Sequence, residues 1–134
     1  MERKIPQRIV LVAEDEALMR SLATEVLTDA GFTVLEAHVG EEALALLQTN
    51  RQIDLLVSDV RMPRIDGYVL MRAALDLVPG LKVILMTGYA TDVPNYIPQD
   101  KIRIFHKPFD FAELSILALH LTRGDDLIVG PLQT

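Results

Sequence analysis

The chain has no cysteine and no tryptophan, and only 5% of its residues are aromatic. Without cysteine, disulfides, thiolate metal sites and thiol nucleophiles are excluded. With so few rings, the apolar half of the sequence is mostly aliphatic. That composition suits parallel strands buried on both faces, which read as Val/Ile/Leu runs. Long hydrophobic runs are also missing. The longest, such as Ile9 to Ala13, are about five residues, whereas a membrane span needs about 18 or more. A secretory leader is not expected either: Arg3, Lys4 and Arg8 supply charge, but the run after them ends at Glu14 and Asp15. The expected location is therefore the cytoplasm, with no membrane partner. A dense basic run is lacking as well, and the net charge is −6. Direct nucleic-acid binding, which wants a basic patch, is not expected.

What is present is an alternation. A length of 134 residues fits one domain, here drawn as residues 1–124 with a tail at 125–134 too short for an output domain. Five short aliphatic runs read as strands: residues 9–13, 33–37, 53–58, 82–86 and 102–105. Helical spacing appears between and after them. Residues 17–30 carry Leu18, Leu22, Ala23, Val26 and Leu27 at that spacing, with Gly31 as the stop. Residues 41–49 turn Ala43, Leu44 and Leu47 inward. Residues 68–78 turn Leu70, Met71, Ala74 and Leu75 inward and end at Pro79-Gly80. Residues 110–123 begin with Asp110 and Glu113 in a capping-box-like pair. The segment 89–101 breaks the pattern. Pro94 and Pro98 each cost a helix interior about 3 kcal/mol, so the helix expected between strands four and five is short, irregular or absent. The alternation predicts an α/β fold, a parallel sheet doubly wound by helices on both faces.

Ligands of such sheets bind beyond the carboxyl ends of the strands. Strand one delivers Glu14 and Asp15 there, strand three Asp59, strand four Thr87 and strand five Lys107. Each alone has an ordinary explanation: acids suit a helix start, Asp suits a turn, and Thr and Lys suit a surface. Four separate strand ends supplying complementary groups make coincidence a poor account. Crowded carboxylates repel, and a hard divalent cation relieves the repulsion. Mg²⁺ takes oxygen ligands, often one or two carboxylates with phosphate oxygens. A carboxylate is also a nucleophile toward a phosphoryl group, and a cation with a lysine neutralises the charge in transfer.

These residues resemble the response-regulator receiver family, in its single-domain form like the chemotaxis regulators. The carriers are Glu14-Asp15 in VAEDE, the stretch DVRMPRIDG from Asp59 to Gly67, Thr87-Gly88, and Lys107-Pro108-Phe109 in HKPF. The likeness covers about Arg8 to Arg123. It implies a five-stranded sheet in the order 2-1-3-4-5. It implies Asp59 as phosphoacceptor, with Mg²⁺ held by Asp15, Asp59 and the main-chain carbonyl of Arg61, and Glu14 assisting through water. Thr87 and Lys107 would each meet a phosphoryl oxygen. The partners implied are a sensor histidine kinase or histidine phosphotransfer protein and an unidentified downstream protein. Separately, in the last helix Leu114, Leu117, Ala118 and Leu121 can face the sheet while Ile116 and Leu119 fall largely on other faces, so that helix, strand five and segment 89–101 are expected to offer a surface to a partner or a second copy. The chain departs from the family at Ile104, where an aromatic is usual, and at 89–101. Phe105, one residue later, should point to the opposite face. The expectation is a phosphorylated signalling module with slow intrinsic phosphorylation and dephosphorylation chemistry, not an enzyme. An aspartyl-phosphate phosphatase would place D-x-D after the first strand, where this chain has Glu14-Asp15-Glu16. A pseudo-receiver would lack pocket residues that are all present here.

Overall fold

In a computed structural model, residues 7–88, 102–106 and 110–123 are described. The order is β1 (Ile9–Ala13), α1 (Ala17–Asp29), β2 (Thr33–Ala37), α2 (Gly40–Thr49), β3 (Leu55–Asp59), α3 (Gly67–Leu77), β4 (Lys82–Thr87), β5 (Ile102–His106) and α4 (Phe111–Thr122). The strands form one parallel sheet in the order β2-β1-β3-β4-β5. This matches the expected class and strand order. The segment 89–101, Lys107 and the tail at 125–134 lie outside the described residues.

Strand alternation divides the core into two layers. Leu11, Leu56, Val83 and Leu85 turn to one face, where Ala43 and Leu47 of α2 and Leu70, Met71 and Ala74 of α3 cover them. Val10, Val12, Leu55, Val57, Ile84 and Met86 turn to the other face, under Ala23 and Leu27 of α1 and Leu114, Ala118 and Leu121 of α4. Each fully buried leucine is worth about 2–5 kcal/mol against truncation to alanine. Ile104 packs with the first layer and Phe105 with the second, on opposite faces as alternation requires.

Several boundaries differ from the sequence reading for identifiable reasons. Strand β3 begins at Leu55 rather than 53, because Ile53 N donates to Asn50 O and Asp54 Oδ2 accepts from Ile9 N at 2.8 Å. Those two residues brace the amino edge of the sheet. Strands β3 and β4 run one residue further, so Asp59 and Thr87 are the last residues of strands. Helix α1 ends at Asp29 with Gly31 at φ 103, the left-handed conformation that relieves a helix C-terminus. Of the α1 positions at helical spacing, Leu18 is 64% exposed, and full burial occurs only at Ala23 and Leu27. Leu117 of the last helix is half-buried, beside the buried Leu114, Ala118 and Leu121. At the start of α4, Asp110 caps Ala112 N, while Glu113 N donates to the Asp110 carbonyl. None of the described helices is long and apolar enough to cross a membrane.

Candidate functional site

The carboxyl edge of the sheet is where the chemistry-bearing residues collect. Strand β1 stops at Ala13, and the chain turns through Glu14 and Asp15 before α1 begins. Glu14 N donates to Ala37 O at 3.0 Å, which ties this turn to the end of β2. The Glu14 side chain is buried at 1% exposure, and its Oε2 accepts from Glu16 N at 3.0 Å. Asp15 is exposed. Asp59, at the end of the central strand β3, is 5% exposed. Each of Glu14, Asp15 and Asp59 offers a carboxylate oxygen, and these oxygens lie within 4.8 Å of one another.

That donor set suits a hard cation. All the side-chain ligands are oxygen, two of the three carriers are buried, and one opens to solvent. Such a site can take one or two carboxylates to the ion and leave positions for water or phosphate oxygens. Three anionic groups this close are favourable only if a cation or protons offset their repulsion.

The loop after β3 completes one wall. Val60 N donates to Met86 O at 3.0 Å and Gly67 N to Val60 O at 2.8 Å, so the loop closes over the strand end. Arg61 N reaches Asp59 Oδ1 at 3.3 Å. Asp66 Oδ1 accepts from Val69 N at 3.0 Å and caps α3. A cleft of about 510 Å³ opens beside the carboxylates, lined by Asp15, Val60, Arg61, Met62, Pro63, Asp66 and Tyr68. On the other side, Thr87 ends β4 at 2% exposure, one residue past Met86, the register partner of Asp59. Thr87 is paired in register with His106, the last residue of β5. Glu14, Asp15, Asp59 and Thr87 are thus gathered on one rim with the Arg61 backbone; Lys107 is outside the described residues.

Two supporting residues escaped the sequence reading. Arg20, one turn into α1, donates through Nη1 to the Glu14 carbonyl at 2.9 Å and pairs through Nε with Glu36 of β2 at 3.3 Å. It clamps the acid-bearing turn and adds a positive charge near the cluster. Ser58, fully buried, donates its hydroxyl to the Asp59 carbonyl at 2.9 Å. A hydroxyl set directly before Asp59, at the end of the aliphatic run Leu55 to Val57, was a usable signal for Ser58. Arg20 had none, since its partners come from elsewhere in the chain.

A parallel 2-1-3-4-5 sheet with this acid-rich rim defines a class that sequence comparison also reaches. The profile of the family described as Response regulator receiver domain matches residues 10–118, and the chain belongs to that family. It is a receiver domain of two-component signalling, a family in which aspartate phosphorylation and Mg²⁺ are standard. Over 108 residues it is 34% identical to the response regulator receiver protein CpdR of Brucella abortus, covering 78% of this chain and 88% of that one. It is 35% identical over 120 residues to the sensor kinase CckA of Brucella abortus, covering 87% of this chain but 13% of the kinase. Among solved structures, the receiver domain of the hybrid histidine kinase CckA aligns with a TM-score of 0.75 at 34% identity, covering 86% of this chain and 99% of that domain. A response regulator receiver protein from Sinorhizobium medicae aligns with a TM-score of 0.80 at 29% identity, covering 88% and 96%.

Proposed function

We propose that this receiver domain accepts a phosphoryl group on Asp59 in the presence of Mg²⁺ and thereby switches a protein-binding surface. The observation that carries the reading is the convergence of Glu14, Asp15 and Asp59 within 4.8 Å at the ends of two neighbouring strands. Asp15, Asp59 and the Arg61 carbonyl would hold the ion, with Glu14 assisting through water. Bound there, the ion offsets the charge on the phosphoryl group in transfer. An Asp59 carboxylate oxygen attacks phosphorus, and the bond from phosphorus to the donor's leaving group breaks. Near-complete burial of Asp59 limits water at the nucleophile. The Thr87 hydroxyl donates to one phosphoryl oxygen, and the Lys107 ammonium pairs with another. Attack of water on the acyl phosphate later releases inorganic phosphate and restores the carboxylate.

In this reading the chain is a signalling module spanning residues 1–124, in the cytoplasm, with slow intrinsic phosphorylation and dephosphorylation. Similarity to the CckA receiver and to CpdR supports a histidine kinase or histidine phosphotransfer protein as the donor. The output is another protein, or a second copy of the chain, meeting β5 and α4. That surface is supported by Ile116, which is 62% exposed on α4. Mass spectrometry after incubation with acetyl phosphate tests the core of the reading. The wild-type protein should gain one phosphoryl group only with Mg²⁺, and Asp59→Asn should gain none. Undiminished labelling of that variant would defeat the assignment.

A further inference from the structure

Helix α2 contributes no group to the acidic rim, yet it is fastened to the loop that does. Arg64, in the outer turn of that loop, has φ 65, the only non-glycine residue in the left-handed region among the described residues. A side chain that long is uncommon there. Its guanidinium reaches back to Glu41, in the first turn of α2, with Nε to Oε2 at 2.6 Å and Nη2 to Oε1 at 3.5 Å. The next residue, Ile65, lies against the face that Gly40 leaves bare. A Cβ at position 40 would meet Ile65 Cβ at 2.8 Å, Cγ2 at 2.9 Å and the carbonyl oxygen at 3.0 Å. The ends of the loop are fixed to the sheet by the Val60 and Gly67 main-chain bonds. Its outer turn is held by α2 through this two-residue clasp.

We propose that Gly40 and Glu41 of α2, gripping Ile65 and Arg64, are positioning residues that set the Mg²⁺ affinity of the acidic rim. The inference rests on the Mg²⁺ reading given above. Arg61 lies three residues before Arg64, on the same loop, and its N–H already bonds Asp59 Oδ1. A shift of the outer turn is carried along this short chain to the Arg61 carbonyl. The ion pair itself is exposed, with side chains 62% and 45% accessible, so its effect on global stability is small. Its effect is local: it selects one placement of a loop that bears a ligand. Binding is reciprocal, so the metal should in turn steady the start of α2.

The test is an NMR titration of the protein with magnesium chloride alone, alongside thermal melting. Glu41→Gln and Arg64→Ala should each weaken Mg²⁺ binding about threefold to fivefold, the upper range for coupling through an exposed ion pair. The double variant should be no weaker than either single one, and Arg64→Lys should keep most of the affinity. Gly40→Ala, which drives a Cβ into Ile65, should weaken binding about tenfold, as loss of an outer-shell support does. Arg64→Gly separates positioning from stability. It removes the pair but suits φ 65, so Mg²⁺ affinity should fall while the melting temperature holds or rises. If Arg64→Ala and Glu41→Gln bind as wild type does, or if affinity falls only in step with melting temperature, the clasp is overturned and the Mg²⁺ site stands. If the wild-type protein itself shows no response to magnesium, the Mg²⁺ reading fails and the clasp falls with it.

Discussion

Gly67→Ala is the substitution whose cost the geometry fixes most tightly. Gly67 is the first residue of α3, and its N–H donates to Val60 O at 2.8 Å. An added Cβ would collide with the Asp59 carbonyl oxygen, and would stand 2.8 Å from Val60 Cα and 3.1 Å from the Asp59 carbonyl carbon. All three are backbone atoms, so no side chain can swing aside. Overpacking of this kind costs about 1–3 kcal/mol, and restricting the unfolded chain by Gly→Ala returns about 0.4–1 kcal/mol. At the upper end of overpacking the net is a loss of about 2–2.6 kcal/mol, or a fall of about 8–10 °C at roughly 4 °C per kcal/mol for a chain of this size. Two of the three displaced atoms belong to the proposed phosphoacceptor, so function should suffer beyond stability. A misplacement of the nucleophile by a fraction of an ångström should slow labelling by acetyl phosphate by about tenfold or more. Thermal melting by circular dichroism and timed mass spectrometry, both well below the melting temperature, read the two effects separately. A variant that melts within about 1 °C of wild type and labels at the wild-type rate would refute the reasoning.

Three further outcomes are expected. Asp15→Asn should raise the metal-free melting temperature, because carboxylates within 4.8 Å repel by about 1 kcal/mol at water-like dielectric and about 3 at an effective value of 20. Exposure of Asp15 favours the lower figure, and magnesium binding should weaken in the same variant; a lower melting temperature without metal would show that favourable contacts hold Asp15. The Arg64 hydrogen bond holds the Glu41 carboxyl below its ordinary value of 4.5. A lowered folded-state value stabilises above the ordinary range and is lost as pH falls through it, so wild type and Glu41→Gln should converge in melting temperature as pH drops below 4.5. Ile116→Lys should weaken self-association or partner binding in sedimentation while labelling at Asp59 continues, and unchanged association would remove α4 as the contact surface.

The fold was legible because each strand is a short aliphatic run that nothing else in a chain of this composition explains. Val10 to Val12 and Val83 to Leu85 can be buried only with helices on both sides, and the helical spacings between them supply those helices. The ends of elements were harder. Whether Asp59 is the last strand residue or the first loop residue depends on pairing with Met86, a partner 27 positions away by subtraction of the paired numbers. In α1, helical spacing assigns a face without saying where along it the sheet lies, and Leu18 falls beyond the sheet's reach at 64% exposure. Five apolar positions share the spacing, and two of them are fully buried.

The rim divides along the same line. Glu14, Asp15, Asp59 and Thr87 stand at strand ends, and a strand end can be read locally, so the groups that would meet the metal and the phosphoryl oxygens were identifiable one motif at a time. The groups that hold them were not. Arg20 meets Glu36 across 16 positions and Arg64 meets Glu41 across 23. Neither pairing is written in any contiguous segment. Arg64 is further hidden by its conformation: a left-handed turn is expected at glycine or asparagine, and arginine sits there against local preference. A local preference broken inside a site-bearing loop calls for a compensating contact. Here the contact is an ion pair to a helix that carries no ligand. Substitutions at 40, 41 and 64 would leave every motif residue in place, so a sequence reading of the rim would call such a protein intact. Its response to magnesium would tell it apart.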